Sequence, residues 1–176
     1  MDRLLLTRDD HIAYRYHPLQ NLGDMDMTFL IDLRVHEGRE REGVIARKAG
    51  VWEMRLNRQG QLELELQARK QNRSQIIRSK LPLAAGTRYS VAFSIVGMKR
   101  LANYARLYVR AASHRGFIKV GEGLGVRNAQ FNTDGIELGT SKQVGRSIDG
   151  TLWNPRLFIA PFTADELSAV HAGADQ

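Results

Sequence analysis

The sequence predicts an all-β protein of antiparallel strands, a sandwich or a barrel, with one short helix at the C-terminus. Three observations carry this reading. Apolar and polar residues alternate strictly over many short segments, which marks strands with one buried face. Turn residues punctuate those segments at short intervals. The cleanest helical signal lies at the C-terminal end of the 176 residues. Strands of a parallel sheet, buried on both faces, would instead read as continuous apolar runs.

The first 26 residues read as an arm that packs on the domain, with a short strand candidate at 12–16. Phe29, Ile31, Leu33 and Val35 then alternate with Thr28, Leu30, Asp32 and Arg34, which places the second set outward. A shorter candidate follows at 43–48. Trp52, Met54 and Leu56 alternate with Glu53 and Arg55, and Leu62, Leu64 and Leu66 alternate with Glu63 and Glu65. Asn57-Arg58-Gln59-Gly60 separates these two strands and ends in glycine, which takes a left-handed turn position at low cost. That turn sets a register with Arg55 opposite Glu63 and Glu53 opposite Glu65. Residues 75–79 form a short, edge-like candidate. Tyr89, Val91, Phe93 and Ile95 mark the next strand, and Ala105, Leu107 and Val109 the one after it. Shorter candidates lie at 117–120 and 157–160. Thr163-Ala164-Asp165-Glu166 fits a capping box, and Leu167 and Val170 give the helix an apolar side. Trp52, Leu64 and Phe93 are expected between the sheets. One domain is expected over 1–176, because no composition break, repeat or low-complexity tract interrupts the chain.

Composition narrows the function classes. There are no cysteines, which removes disulfides, thiolate metal sites and a cysteine nucleophile together. The start, Met1 to Asp10, holds one apolar triplet followed by charges, so no signal peptide is read there and synthesis in the cytoplasm is expected. No segment has the apolar length of a membrane span. The net charge of +7 favours partners with negative surfaces: nucleic acid, an acidic glycan or an acidic protein surface.

The order of these elements resembles the laminin-G-like jelly roll of the concanavalin A-like lectin and glucanase superfamily. The resemblance runs over about residues 27 to 168. It is carried by Met27 to Leu33, by Val44-Ile45-Ala46-Arg47-Lys48, by Trp52 to Leu56 with Gly60 to Leu66, and by Arg88 to Phe93. It continues through Leu107-Tyr108-Val109, without the Asn-Gly turn of the pattern, then Ile136-Glu137-Leu138-Gly139, Ile148 to Phe158, and Phe162 to Leu167. It implies two facing antiparallel sheets in a jelly-roll sandwich and a family that mostly binds glycans or proteins, although glucanases share the scaffold.

The glucanases of that superfamily carry a Glu-x-Asp-x-Glu strand. Here the matching positions read Glu63-Leu64-Glu65-Leu66-Gln67, and Gln67 can neither attack an anomeric carbon nor donate a proton as an acid would. The glutamates are therefore expected on a solvated sheet face, and no catalytic residue is assigned. The five histidines lack metalloprotease spacing. Asp24, Asp26, Asp134 and Asp149 are loop aspartates too dispersed for the six to eight oxygens calcium takes, so neither metal nor cofactor is expected. Gly121-Glu122-Gly123-Leu124-Gly125-Val126 misses the third glycine of a dinucleotide fingerprint and reads as a β-connection. Arg69, Lys70, Arg73, Arg78 and Lys80 surround an expected loop and are the candidate ligand-binding residues. The aromatic platforms that single-stranded nucleic acid uses are absent there, which argues against such a partner. A non-enzymatic binding or assembly module is expected, and a particle-displayed structural protein of phage or virus would account for a lectin-like chain without export signal or disulfides. The rivals are a glycan-cleaving enzyme on the same scaffold and a basic nucleic-acid binder.

Overall fold

The computed structural model describes residues 4–6, 11–15, 26–37, 41–68, 74–96, 104–126, 134–139 and 147–174. In chain order the strands are β1 (Leu4–Leu6), β2 (His11–Ala13), β3 (Met27–Val35), β4 (Gly43–Lys48), β5 (Trp52–Leu56), β6 (Gln61–Gln67), β7 (Ser74–Pro82), β8 (Arg88–Val96), β9 (Tyr104–Ala111), β10 (Ile118–Leu124), β11 (Ile136–Gly139) and β12 (Gly150–Phe158). One helix follows, α1 (Ala164–Ala174). The strands form two six-stranded antiparallel sheets: sheet A in the order β1-β12-β3-β8-β9-β10, sheet B in the order β2-β11-β4-β5-β6-β7. The protein is an all-β, two-sheet jelly-roll sandwich with a short C-terminal helix. No helix among the described residues is long and apolar enough to cross a membrane.

The inner faces meet as the alternation requires. Phe29 and Phe93 of sheet A pack on Trp52 of sheet B, with ring centroids 4.9 to 5.9 Å apart. Such aromatic pairs contribute about 0.5–1.5 kcal/mol each beyond the area they bury. Trp52, Leu64 and Phe93 are fully buried, as expected. The β5–β6 turn also forms as read. Gly60 takes φ 76°, Gly60 N donates to Asn57 O, and the register pairs Arg55 with Glu63 and Glu53 with Glu65.

Three expectations change. Sheet A has no fully wet face: Thr28, Leu30 and Asp32, read as outward, are buried, and only Arg34 of that set is exposed. They lie beneath α1, where Leu30, Ala92, Tyr108, Phe117 and Leu167 form a second apolar cluster outside the main core. The helix is tied down locally. Glu166 Oε2 accepts from Thr163 N at 2.7 Å, Phe117 N donates to Ser168 Oγ at 2.9 Å, and Thr28 Oγ1 accepts from Phe162 N at 3.0 Å. Hydrogen bonds from the Thr163 backbone and hydroxyl hold the Glu166 carboxyl below its ordinary range. Second, the glycine-rich stretch is no connection, because Gly121 to Leu124 lie inside β10. A Cβ at Gly121 would stand 2.5 Å from the Arg78 carbonyl oxygen, so glycine lets the edge strand of sheet A lie against the edge strand of sheet B. Third, the short, edge-like strand expected at 75–79 does form the edge of sheet B but runs nine residues, over 74–82, so Arg78 and Lys80 lie on a strand.

Candidate functional site

The outer face of sheet B is built by the residues that alternate with the core positions of five neighbouring strands. Read across the sheet, Glu137 pairs with Arg47, Arg47 with Glu53, Glu53 with Glu65, Arg55 with Glu63, and Glu63 with Arg78. The side chains connect into a belt. Arg47 Nε donates to Glu137 Oε2 at 2.6 Å, and Arg78 Nε donates to Glu63 Oε1 at 2.6 Å. At the centre, Arg55 Nε donates to Glu63 Oε2 at 3.0 Å, while its Nη1 bridges Glu53 at 3.0 Å and Glu65 at 2.6 Å. Glu53 and Glu65 are like charges directly opposite, an arrangement that destabilises a sheet unless a cation sits between them. Arg55 is that cation. Asn57 Nδ2 adds a hydrogen bond to Glu63 Oε1 at 2.9 Å.

Glu63 was expected on a solvated face, but it is 3% exposed. The long side chains packed around it exclude water, which alone would raise its pKa. Hydrogen bonds from Asn57, Arg78 and Arg55 outweigh that burial and hold the carboxyl below its ordinary range. Burial likewise opposes the charge of Arg55, and its bonds to Glu53, Glu65 and Glu63 reverse the effect and raise its pKa. An acid catalyst needs a carboxyl that keeps its proton near neutral pH. Glu63 is pushed the other way, and Glu53 and Glu65 share one guanidinium. The belt holds its donors and acceptors fixed against one another along one sheet face.

Of the residues picked from the sequence, Arg78 and Lys80 fall on β7 at the margin of this face. Arg78 is engaged by Glu63, and Lys80 is exposed. Arg69, Lys70 and Arg73 lie outside the described residues, as does Asp24. Asp149 is buried and bonded to His36 Nδ1 at 3.0 Å, and the Asp134 carbonyl accepts from the buried ammonium of Lys48. Burial lowers the pKa of Lys48, and the nearby Asp134 carboxylate partly offsets this. No group of three or more His, Asp or Glu side chains able to hold a metal occurs among the described residues.

A Ser–His–Asp cluster that no sequence pattern announces lies beneath α1. Ser90 Oγ stands 2.9 Å from His171 Nε2, and Asp32 Oδ1 stands 3.4 Å from the same nitrogen. A catalytic triad needs the hydroxyl and the carboxylate on opposite ring nitrogens. Here they compete for one, all three residues are buried, and Arg110 Nη2 lies 3.1 Å from that nitrogen too. The cluster anchors the helix. No spacing rule finds it, because the three residues lie 58 and 81 positions apart and the fold alone brings them together. A cleft of about 140 Å³ opens at the seam of β12 and β11, lined by Tyr14, Phe29, Ile136, Pro155, Arg156 and Leu157. It is smaller than the roughly 300–1,000 Å³ pockets that enclose a small-molecule ligand.

No family model and no curated protein sequence matches this chain. Solved structures do. The binding domain of Paraclostridial Mosquitocidal Protein 1 superposes with a TM-score of 0.68 at 12% identity, over 98% of this chain and 43% of that one. The Ruminococcus gnavus IT-sialidase CBM40, solved with α2,3-sialyllactose, gives 0.60 at 11% identity over 96% and 97% of the two chains. A putative carbohydrate binding protein from Bacteroides ovatus gives 0.64 at 20% identity over 90% and 43%. The chain therefore spans less than half the length of the first and third. At these identities the likeness shows the fold alone, an antiparallel two-sheet jelly-roll sandwich that this chain shares with those domains.

Proposed function

We propose that this protein is a non-enzymatic glycan-binding module whose contact surface is the outer face of sheet B, centred on Arg55 and bordered on the β7 edge by Arg78 and Lys80. The observation that carries the reading is the preorganised belt, in which Arg55 is held by three carboxylates and still 26% exposed. Donors and acceptors already fixed in place lose little entropy when sugar hydroxyls replace water on them. The fold supports the same reading, since one similar structure holds sialyllactose and another is described as carbohydrate binding.

The belt carries four carboxylates, Glu53, Glu63, Glu65 and Glu137, against the guanidiniums of Arg47, Arg55 and Arg78. It favours the hydroxyl-rich, neutral part of a glycan over an acidic group. The test is a glycan array followed by titration of the best binder, with reducing-sugar release measured in parallel. Arg55→Gln is expected to weaken binding by about tenfold, one charge-assisted contact. Unchanged binding by that variant moves the site off this face, and sugar release by the wild type that Glu53→Gln or Glu65→Gln abolishes replaces the module with an enzyme.

A further inference from the structure

The outer face of sheet A carries an electrostatic arrangement that folding by itself does not explain. Arg34 of β3 stands directly opposite Arg88 of β8, so two cations occupy one cross-strand pair with Cβ atoms about 5 Å apart. Both are exposed, and neither has an ion-pair partner among the described residues. One pair further in, Arg110 of β9 faces Ser90, diagonal to Arg88. Arg110 keeps a buried Nε without a hydrogen-bond acceptor, while its Nη2 stands beside His171.

The carboxylates nearby do not balance this row. Asp32 accepts from Asn154 Nδ2 at 2.9 Å and lies 3.4 Å from His171. Asp149 is bonded to His36. The Glu37 carboxylate lies against Gly86 without forming an ion pair to either exposed arginine. Sheet B shows what a compensated like-charge pair looks like: the facing Glu53 and Glu65 have Arg55 between them. The facing Arg34 and Arg88 have no counterpart of that kind among the described residues. Beside them, Trp153 pairs with Asp32 and so lies on this same face, half-buried and diagonal to Arg34.

We infer that Arg34, Arg88 and Arg110 form an anion-binding site for the sulfate or carboxylate of an acidic sugar, bordered on β12 by the half-buried Trp153. Guanidiniums bind such planar or tetrahedral oxyanions through paired N–H donors. An indole commonly supplies the apolar half of such a contact. Among the described residues Trp153 is the aromatic that borders the row on β12, which fits one sugar ring better than the successive platforms on which single-stranded nucleic acid stacks. The site lies on the opposite side of the sandwich from the Arg55 face and stands or falls separately from it.

The experiment titrates the intact protein with a heparin-derived sulfated hexasaccharide, a polygalacturonate hexamer and a single-stranded oligonucleotide, at low and at physiological salt. Wild type is compared with Arg34→Gln/Arg88→Gln and with Arg55→Gln. The expected result is binding of at least one acidic sugar, weakened about tenfold or more in the double variant, with an attraction that fades as salt rises. The sugar that binds more tightly distinguishes sulfate from carboxylate. Because the double substitution removes a like-charge pair, its unfolding midpoint without ligand is expected to equal or exceed that of the wild type. Four results overturn the site: no acidic sugar bound at low salt, equal affinity in the double variant, a lower midpoint in the double variant, or tighter binding of the oligonucleotide than of either sugar. Loss of acidic-sugar binding only in Arg55→Gln also overturns it, and leaves the Arg55 face as the glycan site.

Discussion

The two outer faces of the sandwich solve the same problem in opposite ways. Sheet A covers part of its outer face with α1, and the residues beneath are apolar (Leu30, Ala92, Tyr108) or pinned polar ones (Thr28, Asp32, Ser90). Among the described residues no helix covers sheet B, which fills its face with long charged side chains that shield one another, well enough to bury Glu63. A covered face gains apolar burial and loses access. A face of paired charges gains little net stability, since desolvation offsets attraction, but it stays available to a ligand. The comparison teaches where contact surface can exist on this fold: on the neutralised belt of sheet B, and on the part of sheet A where Arg34 and Arg88 are exposed.

Substitutions in the core and on each face separate the two cases. The largest effect belongs to neither face. Phe93→Ala removes the ring between Phe29 and Trp52 and is expected to cost about 3–5 kcal/mol in chemical denaturation. Next comes Leu167→Ala, which empties the contact of α1 with sheet A and is expected to cost about 2–5 kcal/mol. A loss under about 1 kcal/mol there would mean that the helix does not cover the face.

Glu63→Gln probes the other face. It leaves Arg55 and Arg78 short of one charge, and because both guanidiniums are partly exposed the expected cost is about 1–2 kcal/mol, below that of an enclosed pair. The sign with pH follows from the lowered pKa of Glu63. The stabilisation is complete above the unfolded glutamate value of about 4.3 and is lost as pH falls through the lower folded value. Stability curves of wild type and Glu63→Gln should therefore converge below about pH 4, and parallel curves there would show that the carboxylate is not held by its neighbours. Smaller still is Thr163→Ala, which opens the capping box and is expected to cost about 1 kcal/mol, read as a lower thermal midpoint. The exposed pair Arg58–Glu42, at 2.8 Å, closes the series. Arg58→Ser is expected to change stability by under about 0.5 kcal/mol, the contrast that shows burial rather than pairing gives Glu63 its weight.

The sequence alone determined what depends on neighbours along the chain. Period-two alternation sorted Trp52, Leu64 and Phe93 inward, because successive side chains of a strand point to opposite faces. The Asn57–Gly60 turn set the pairing of Arg55 with Glu63, because turn length fixes register in a hairpin. Thr163 and Glu166 announced the helix start through a contact three residues long. Tertiary structure decided whatever depends on what packs across from a residue. Alternation states that Leu30 and Asp32 face away from the core, but only the docking of α1 decides that they are buried. Alternation places Glu63 on the outer face, and only three adjacent strands, bringing Arg55, Arg78 and Asn57 around it, take it out of water. The cations from Arg69 to Lys80 read as a contact loop around a short edge-like strand, and only the pairing of β6 with β7 ties Arg78 of that strand to Glu63. Arg34 and Arg88 stand 54 positions apart, and nothing in the chain between them records that they meet. Local geometry is written in local sequence. Burial and charge balance are properties of the assembled sheets, since they depend on the partners that non-local pairing supplies.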